Sequence, residues 1–264
     1  METPVELRPT IDREWLEAAA QHEPLEHAYT LWDLDHYPDR IRVVSALRGA
    51  QTIGYLLIWQ GLPQASIVHW HGAGPGTERL AAVLPNRPLV AIVPPEARAA
   101  VSSARGEMRE FPELMTLRAP GPVPGSAARS GPVRKLVDAD APELWAWAAR
   151  QRDPQATEYP GLDPASEGVW GAFLTGRLVG AARAAVRLPR EWVIAGVFVE
   201  PAARRRGLGE ALVSAIVGAA AESGARVGLY VREDRAEARR VYERLGFETI
   251  ARRLWLDLGA GLEP

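Results

Sequence analysis

The stretch Val197-Phe198-Val199-Glu200-Pro201-Ala202-Ala203-Arg204-Arg205-Arg206-Gly207-Leu208-Gly209 constrains the fold more than any other part of the sequence. An apolar strand stops at a proline, passes through three arginines and enters a helix between two glycines. A helix N-terminus presents unpaired backbone N–H groups and the positive end of a dipole. Glycines there let an anion come close to the main chain. The natural guest is a phosphate or pyrophosphate. The spacing Arg-x-x-Gly-x-Gly differs from the P-loop, which needs Gly-x-x-x-x-Gly-Lys-[Ser/Thr], and from the dinucleotide pattern Gly-x-Gly-x-x-Gly.

Downstream, residues 229–247 (LYVREDRAEARRVYERLGF) read as strand, turn, helix, glycine stop and strand. Asp234 is placed to cap the helix, and Glu237 to complete a capping box. Ala238, Val241, Tyr242 and Leu245 fall on one helical face. Gly246 is a suitable C-terminal stop.

Together, the Arg-x-x-Gly-x-Gly loop and the series Ala238, Tyr242, Gly246, Phe247 resemble the two signature motifs of the GNAT superfamily of N-acetyltransferases. The resemblance implies an α/β (α+β) fold with a mixed, mostly antiparallel sheet flanked by helices. It implies acetyl-CoA as cosubstrate, held by the loop residues Arg204, Arg205, Arg206, Gly207, Leu208 and Gly209. Backbone groups of the preceding strand, here Val197, Phe198 and Val199, would pair with the pantetheine arm, which needs that strand to splay from its neighbour. Tyr242 takes the place of the family's tyrosine, proposed to protonate the departing thiolate. The same residue is equally at home in a core with its hydroxyl paired. Arg235 stands where the family commonly has asparagine.

Other site residues follow less directly. The family often uses a glutamate on the strand before the loop. Glu191 is the nearest candidate base, two residues before the usual slot at Val193, on the same strand face. Glu158 and Tyr159 fall in the region that lines the acceptor site in the family. His69 and His71 point to one strand face, but a metal site needs a third ligand and an open position. None is evident, and no metal is expected.

The Pro/Gly/Ser-rich stretch 119–132 reads as a linker. It divides the chain into residues 1–118 and 133–264. The second part follows the family's β-α-α-β-β-β-α-β-α-β order. The first repeats that order in degenerate form, so the chain reads as two tandem GNAT-like domains. In the first copy, Gly72-Ala73-Gly74-Pro75-Gly76 takes the loop position. The arginines are missing, the proline removes an N–H donor, and the helix near Ala97–Val101 carries no tyrosine. This copy is expected not to bind CoA but to wall the acceptor site.

Composition narrows the chemistry further. The 31 basic and 33 acidic side chains leave a formal net charge of −2, which calls for neither nucleic acid nor an anionic membrane. No apolar run is long enough to span a bilayer, and the acidic N-terminus lacks a secretory pattern. A cytoplasmic protein, monomer or homodimer, is expected. The chain has no cysteine, which excludes disulfides, thiolate metal sites and a cysteinyl acyl-enzyme. The expectation is direct acyl transfer to a primary amine of a small molecule. Two alternatives stand beside it, a non-catalytic acyl-CoA-binding or scaffold protein and a protein N-acetyltransferase.

Overall fold

The computed structural model describes residues 3–111, 114–118, 132–151, 159 and 161–262. The chain forms two compact units. The first comprises Met1–Met115, Arg232–Asp234 and Ala251–Pro264, the second Thr116–Val231 and Arg235–Ile250.

In chain order the first unit contains β1 (Val5–Arg8), α1 (Arg13–His22), α2 (Pro24–His36), β2 (Ile41–Arg48), β3 (Gln51–Trp59), β4 (Ser66–His71), α3 (Thr77–Ala81), β5 (Leu89–Val93), α4 (Arg98–Arg105) and β6 (Arg109–Glu110). A further strand, β7 (Leu114–Arg118), follows. Strands β1 to β4 pair antiparallel in sequence, and β4 and β5 pair in parallel from Ser66↔Leu89 to His69↔Ile92. Alternation along β4 sends Trp70 to one face and His69 and His71 to the other. Trp70 joins Leu56, Ile58, Leu80 and Val101 in the main core. On the opposite face Tyr55 stacks on His71 and sits near Trp15 and His27, from α1 and α2.

The second unit contains β8 (Val133–Lys135), α5 (Ala141–Arg150), β9 (Val169–Leu174), β10 (Arg177–Arg187), β11 (Glu191–Val199), α6 (Leu208–Glu222), β12 (Arg226–Arg232), α7 (Ala236–Arg244) and the start of β13 (Glu248–Leu258). Antiparallel pairing joins β8, β9, β10 and β11, and β11 pairs with β12 in parallel. Leu144, Trp147 and Ala148 of α5 pack with Tyr159, Ala181 and Phe198. Helix α6 buries Leu208, Leu212, Val213, Ile216, Val217 and Ala220, at the spacing of one apolar stripe.

Several sequence expectations are redrawn. Strand β1 was not foreseen: its four residues alternate half-buried and exposed, too short and polar a pattern to stand out. Asp234 does not cap α7. Its carboxylate takes Arg232, at 2.9 and 2.5 Å, and the N-cap is Arg235 with no side-chain bond. A guanidinium fork two residues away outcompetes one neutral N–H for the carboxylate. The last segment is one strand, β13, whose residues Leu254–Leu258 pair antiparallel with β5 of the first unit. The linker residues 119–131 and the stretch 152–158 lie outside the described residues.

Candidate active site

Strand β11 is the axis of the site. Its register with β12 runs from Glu191↔Arg226 to Ile194↔Leu229 and stops there, although both strands continue. Beyond Ile194, β11 stays paired with β10 on its other side as far as Val199↔Gly180. The register passes from Ala181↔Phe198 to Arg183↔Ala195, so two β11 residues oppose one of β10. This is a β-bulge, and it falls at Gly196, with φ at 62°. Splay on one side and bulge on the other leave Ala195, Gly196 and Val197 half-buried, with no ladder toward β12 among the described residues.

The loop after β11 turns through a short 3-10 segment, Pro201–Ala203, and enters α6 at Gly207. Arg205 and Gly207 both adopt left-handed backbone, with φ of 60° and 74°. That choice costs an L-residue roughly 1–2 kcal/mol and a glycine almost nothing. Among the described residues, the main-chain N–H groups of Arg205, Arg206, Gly207, Leu208 and Gly209 donate to no protein acceptor. A Cβ built on Gly207 or Gly209 would meet nothing within 4 Å. Five free amides beside open space, at the positive end of a 15-residue helix, form an anion cradle. The side chains of Arg204, Arg205 and Arg206 are exposed, whereas Leu208 is buried and anchors the helix start. Arg204 also donates from Nε to the Val199 carbonyl at 2.9 Å and covers the Phe198 ring at 5.5 Å. That carbonyl already has a partner.

Tyr242 sits on α7 with 7% exposure, its ring 5.8 Å from that of Phe247. Its hydroxyl has no hydrogen-bond partner among the described residues, and burial pushes its pKa up to about 12. A core tyrosine would normally pair its hydroxyl. One held protonated and unpaired is available to give up a proton to a strong base nearby.

The acetyltransferase (GNAT) family matches residues 133–247, from β8 through Phe247. The match over these residues implies an acyl-CoA cosubstrate. Solved structures resemble the chain over almost its full length. A Drosophila melanogaster protein is 15% identical and covers 98% of this chain and 99% of its own, with a TM-score of 0.70. A GCN5-related N-acetyltransferase from Sphaerobacter thermophilus is 16% identical over 96% of each chain, TM-score 0.62. A tandem GNAT protein from the clavulanic acid biosynthesis pathway is 18% identical over 97% of this chain and 99% of its own, TM-score 0.61. At these identities the likeness is one of fold, and it extends the tandem GNAT architecture across both units. No curated protein matches the chain.

The remaining expected residues are more scattered. Glu191 is 1% exposed, at the closed end of the β11–β12 pair, with Arg226 Nε 3.9 Å from its carboxylate. It is not brought to the splay. Tyr159 is fully buried, its ring 5.6 Å from Trp147, and its hydroxyl donates to the carbonyl of Gly196 at the bulge. It shapes β11 from behind rather than offering an open face. Glu158 lies outside the described residues. His69 and His71 separate into different contacts, His69 against Tyr29 and His71 with Glu26. No cluster of three potential metal ligands occurs among the described residues.

One residue in the central stretch was passed over in the sequence. Glu200, between Val199 and Pro201, is 9% exposed. Arg177 forks onto its two carboxylate oxygens at 3.0 and 2.7 Å, and Gln151 Nε2 reaches it at 3.3 Å. The only sequence signal was a charge next to an apolar strand end, which by itself reads as solvated.

Proposed function

We propose that this protein transfers an acetyl group from acetyl-CoA directly to a primary amine of a small-molecule acceptor. The reading is carried by the free amides of Arg205–Gly209 at the mouth of α6, opening on unfilled space next to a parted strand pair. In it, those amides and the arginine side chains hold the diphosphate. The open edge of β11 beyond Ile194 orients the pantetheine arm. Acetyl-CoA supplies an activated thioester. Tyr242 holds a proton on Oη in a buried setting and delivers it where thiolate charge develops. With no cysteine in the chain, transfer runs without a cysteinyl intermediate. No carboxylate is assigned as base, because Glu191 is held at the closed end of the strand pair.

Calorimetric titration tests the first step, with acetyl-CoA expected to bind in the micromolar range. Absence of heat with acetyl-CoA, CoA and propionyl-CoA sinks the reading. Release of free CoA across a pooled panel of primary amines tests the second. The position of Glu191 favours one other reading, a non-catalytic acyl-CoA-binding protein. Tight binding with no turnover on any amine or peptide N-terminus would select it.

A further inference from the structure

We propose that Glu200 is the positioning residue of the diphosphate loop, clamped by Arg177 and Gln151 so that the amides of Arg205–Gly209 converge on one anion. The inference rests on the acyl-CoA reading and adds to it the group that fixes the loop's base.

The loop has an unusual conformational problem. Two of its residues, Arg205 and Gly207, are left-handed, and its five free amides make no bonds to the protein that would hold them in place. Such a segment has several backbone arrangements of similar energy. Its shape must therefore be set where it leaves the sheet. Glu200 occupies that point, and every polar group it has is engaged. Its N–H donates to Val179 O at 2.9 Å, and its carbonyl accepts from Ala203 N at 2.8 Å, closing the first turn. Its carboxylate takes both terminal nitrogens of Arg177 from the start of β10, and the amide of Gln151 from the end of α5. Three separate elements thus hold one residue.

Electrostatics argues the same way. A carboxylate one step from an anion-binding loop repels the guest unless its charge is cancelled. The bidentate guanidinium cancels it and fixes its plane. A buried acid is a costly way to fill that space, since an apolar residue of like size would pack there without desolvating a charge. The arrangement gains direction rather than stability. The Arg177 side chain is 55% exposed and that of Glu200 11%, so the pair opens to solvent at one side only.

The test compares two thioesters that differ in the diphosphate. Calorimetry is run with acetyl-CoA and with S-acetylpantetheine, which has the arm and the acyl group but no nucleotide. In Glu200→Gln, Kd for acetyl-CoA is expected to rise about tenfold, the scale of one charged hydrogen bond, while S-acetylpantetheine stays within twofold. Arg177→Met, at an exposed position, keeps the experiment interpretable if Glu200→Gln does not fold, and it should show the same selective loss. The double variant should cost no more than the worse single one, because both changes break one clamp. Equal losses for both thioesters, additive losses, or no loss overturn the proposal. A wild-type protein that binds both thioesters equally well removes the diphosphate grip itself, and the proposal with it.

Discussion

At the scale of single residues, the two glycines of the loop are not equivalent. Gly207 is left-handed, so any side chain there strains the backbone whatever the space around it. Gly209 lies in helical backbone, and its Cβ direction is open. Gly209→Leu should leave the melting temperature unchanged or slightly raised, since leucine is the better helix former by several tenths of a kcal/mol. Acetyl-CoA affinity should nevertheless fall at least tenfold by calorimetry. Equal affinity in the variant would mean the anion does not sit at this helix start. Tyr242 gives the complementary case. Tyr242→Phe removes only a hydroxyl that bonds to no described residue, so folding and acetyl-CoA binding should hold. Turnover on whichever amine the panel identifies should drop at least tenfold, in the range of a lost general acid. Undiminished turnover would make Tyr242 a core residue only. Both residues stand out in the sequence because a glycine spacing and a helical face are short-range patterns. Glu200 does not, because its meaning comes from Arg177 and Gln151, far from it along the chain.

At the scale of elements, the strand–loop–helix and strand–helix units appear where periodicity and glycine stops put them, since each is decided within a dozen residues. The fate of β13 is different. Nothing in residues 248–258 says which strand they join, and the observed partner of Leu254–Leu258 is β5, well over a hundred residues earlier. The β11–β12 splay is likewise a missing set of pairs rather than a pattern of residues, so it could be expected only from the family resemblance. The β13 pairing has a mechanical consequence. Leu254, Leu256 and Leu258 are 5, 0 and 7% exposed and belong to the first unit's core, and all five residues of β5 are buried. Removing three such leucines costs roughly 2–5 kcal/mol each, against a total stability on the order of 5–15 kcal/mol for a domain. A chain ending at Ile250 should therefore lose the first unit. Far-UV circular dichroism and limited proteolysis should show a cleaved, non-cooperative N-terminal region. A truncated chain that melts cooperatively near the wild-type temperature would contradict this.

At the scale of the whole molecule, pH bears on the first unit through a set of buried ionisable groups outside the candidate active site. Burial alone would raise Glu26, but hydrogen bonds and charge from His71 and Arg253 hold it near about 2. Burial, helped by the charges of His71 and Arg253, pushes His27 down to about 4. Asp33 goes the other way, raised by burial to about 7, on the same helix. The signs follow from which state binds the proton. The depressed His27 costs stability as pH falls from 6.5 toward 4, where only the unfolded chain takes up a proton. Glu26 contributes stability above its ordinary range, lost as pH drops toward 2. The raised Asp33 contributes below about 4 and is lost as pH climbs to 7, so at neutral pH it opposes folding. His27 and Asp33 partly cancel between pH 4 and 6.5, which flattens the wild-type profile. Replacing Asp33 with asparagine removes one side of that balance. Packing changes in Asp33→Asn are the same at every pH, so the pH-dependent part isolates the charge. The variant should gain on the order of 2 kcal/mol more relative to wild type at pH 8 than at pH 5, read from denaturant unfolding at both. A gain independent of pH would mean that Asp33 is not held protonated in the fold, and the flat profile would then need another cause.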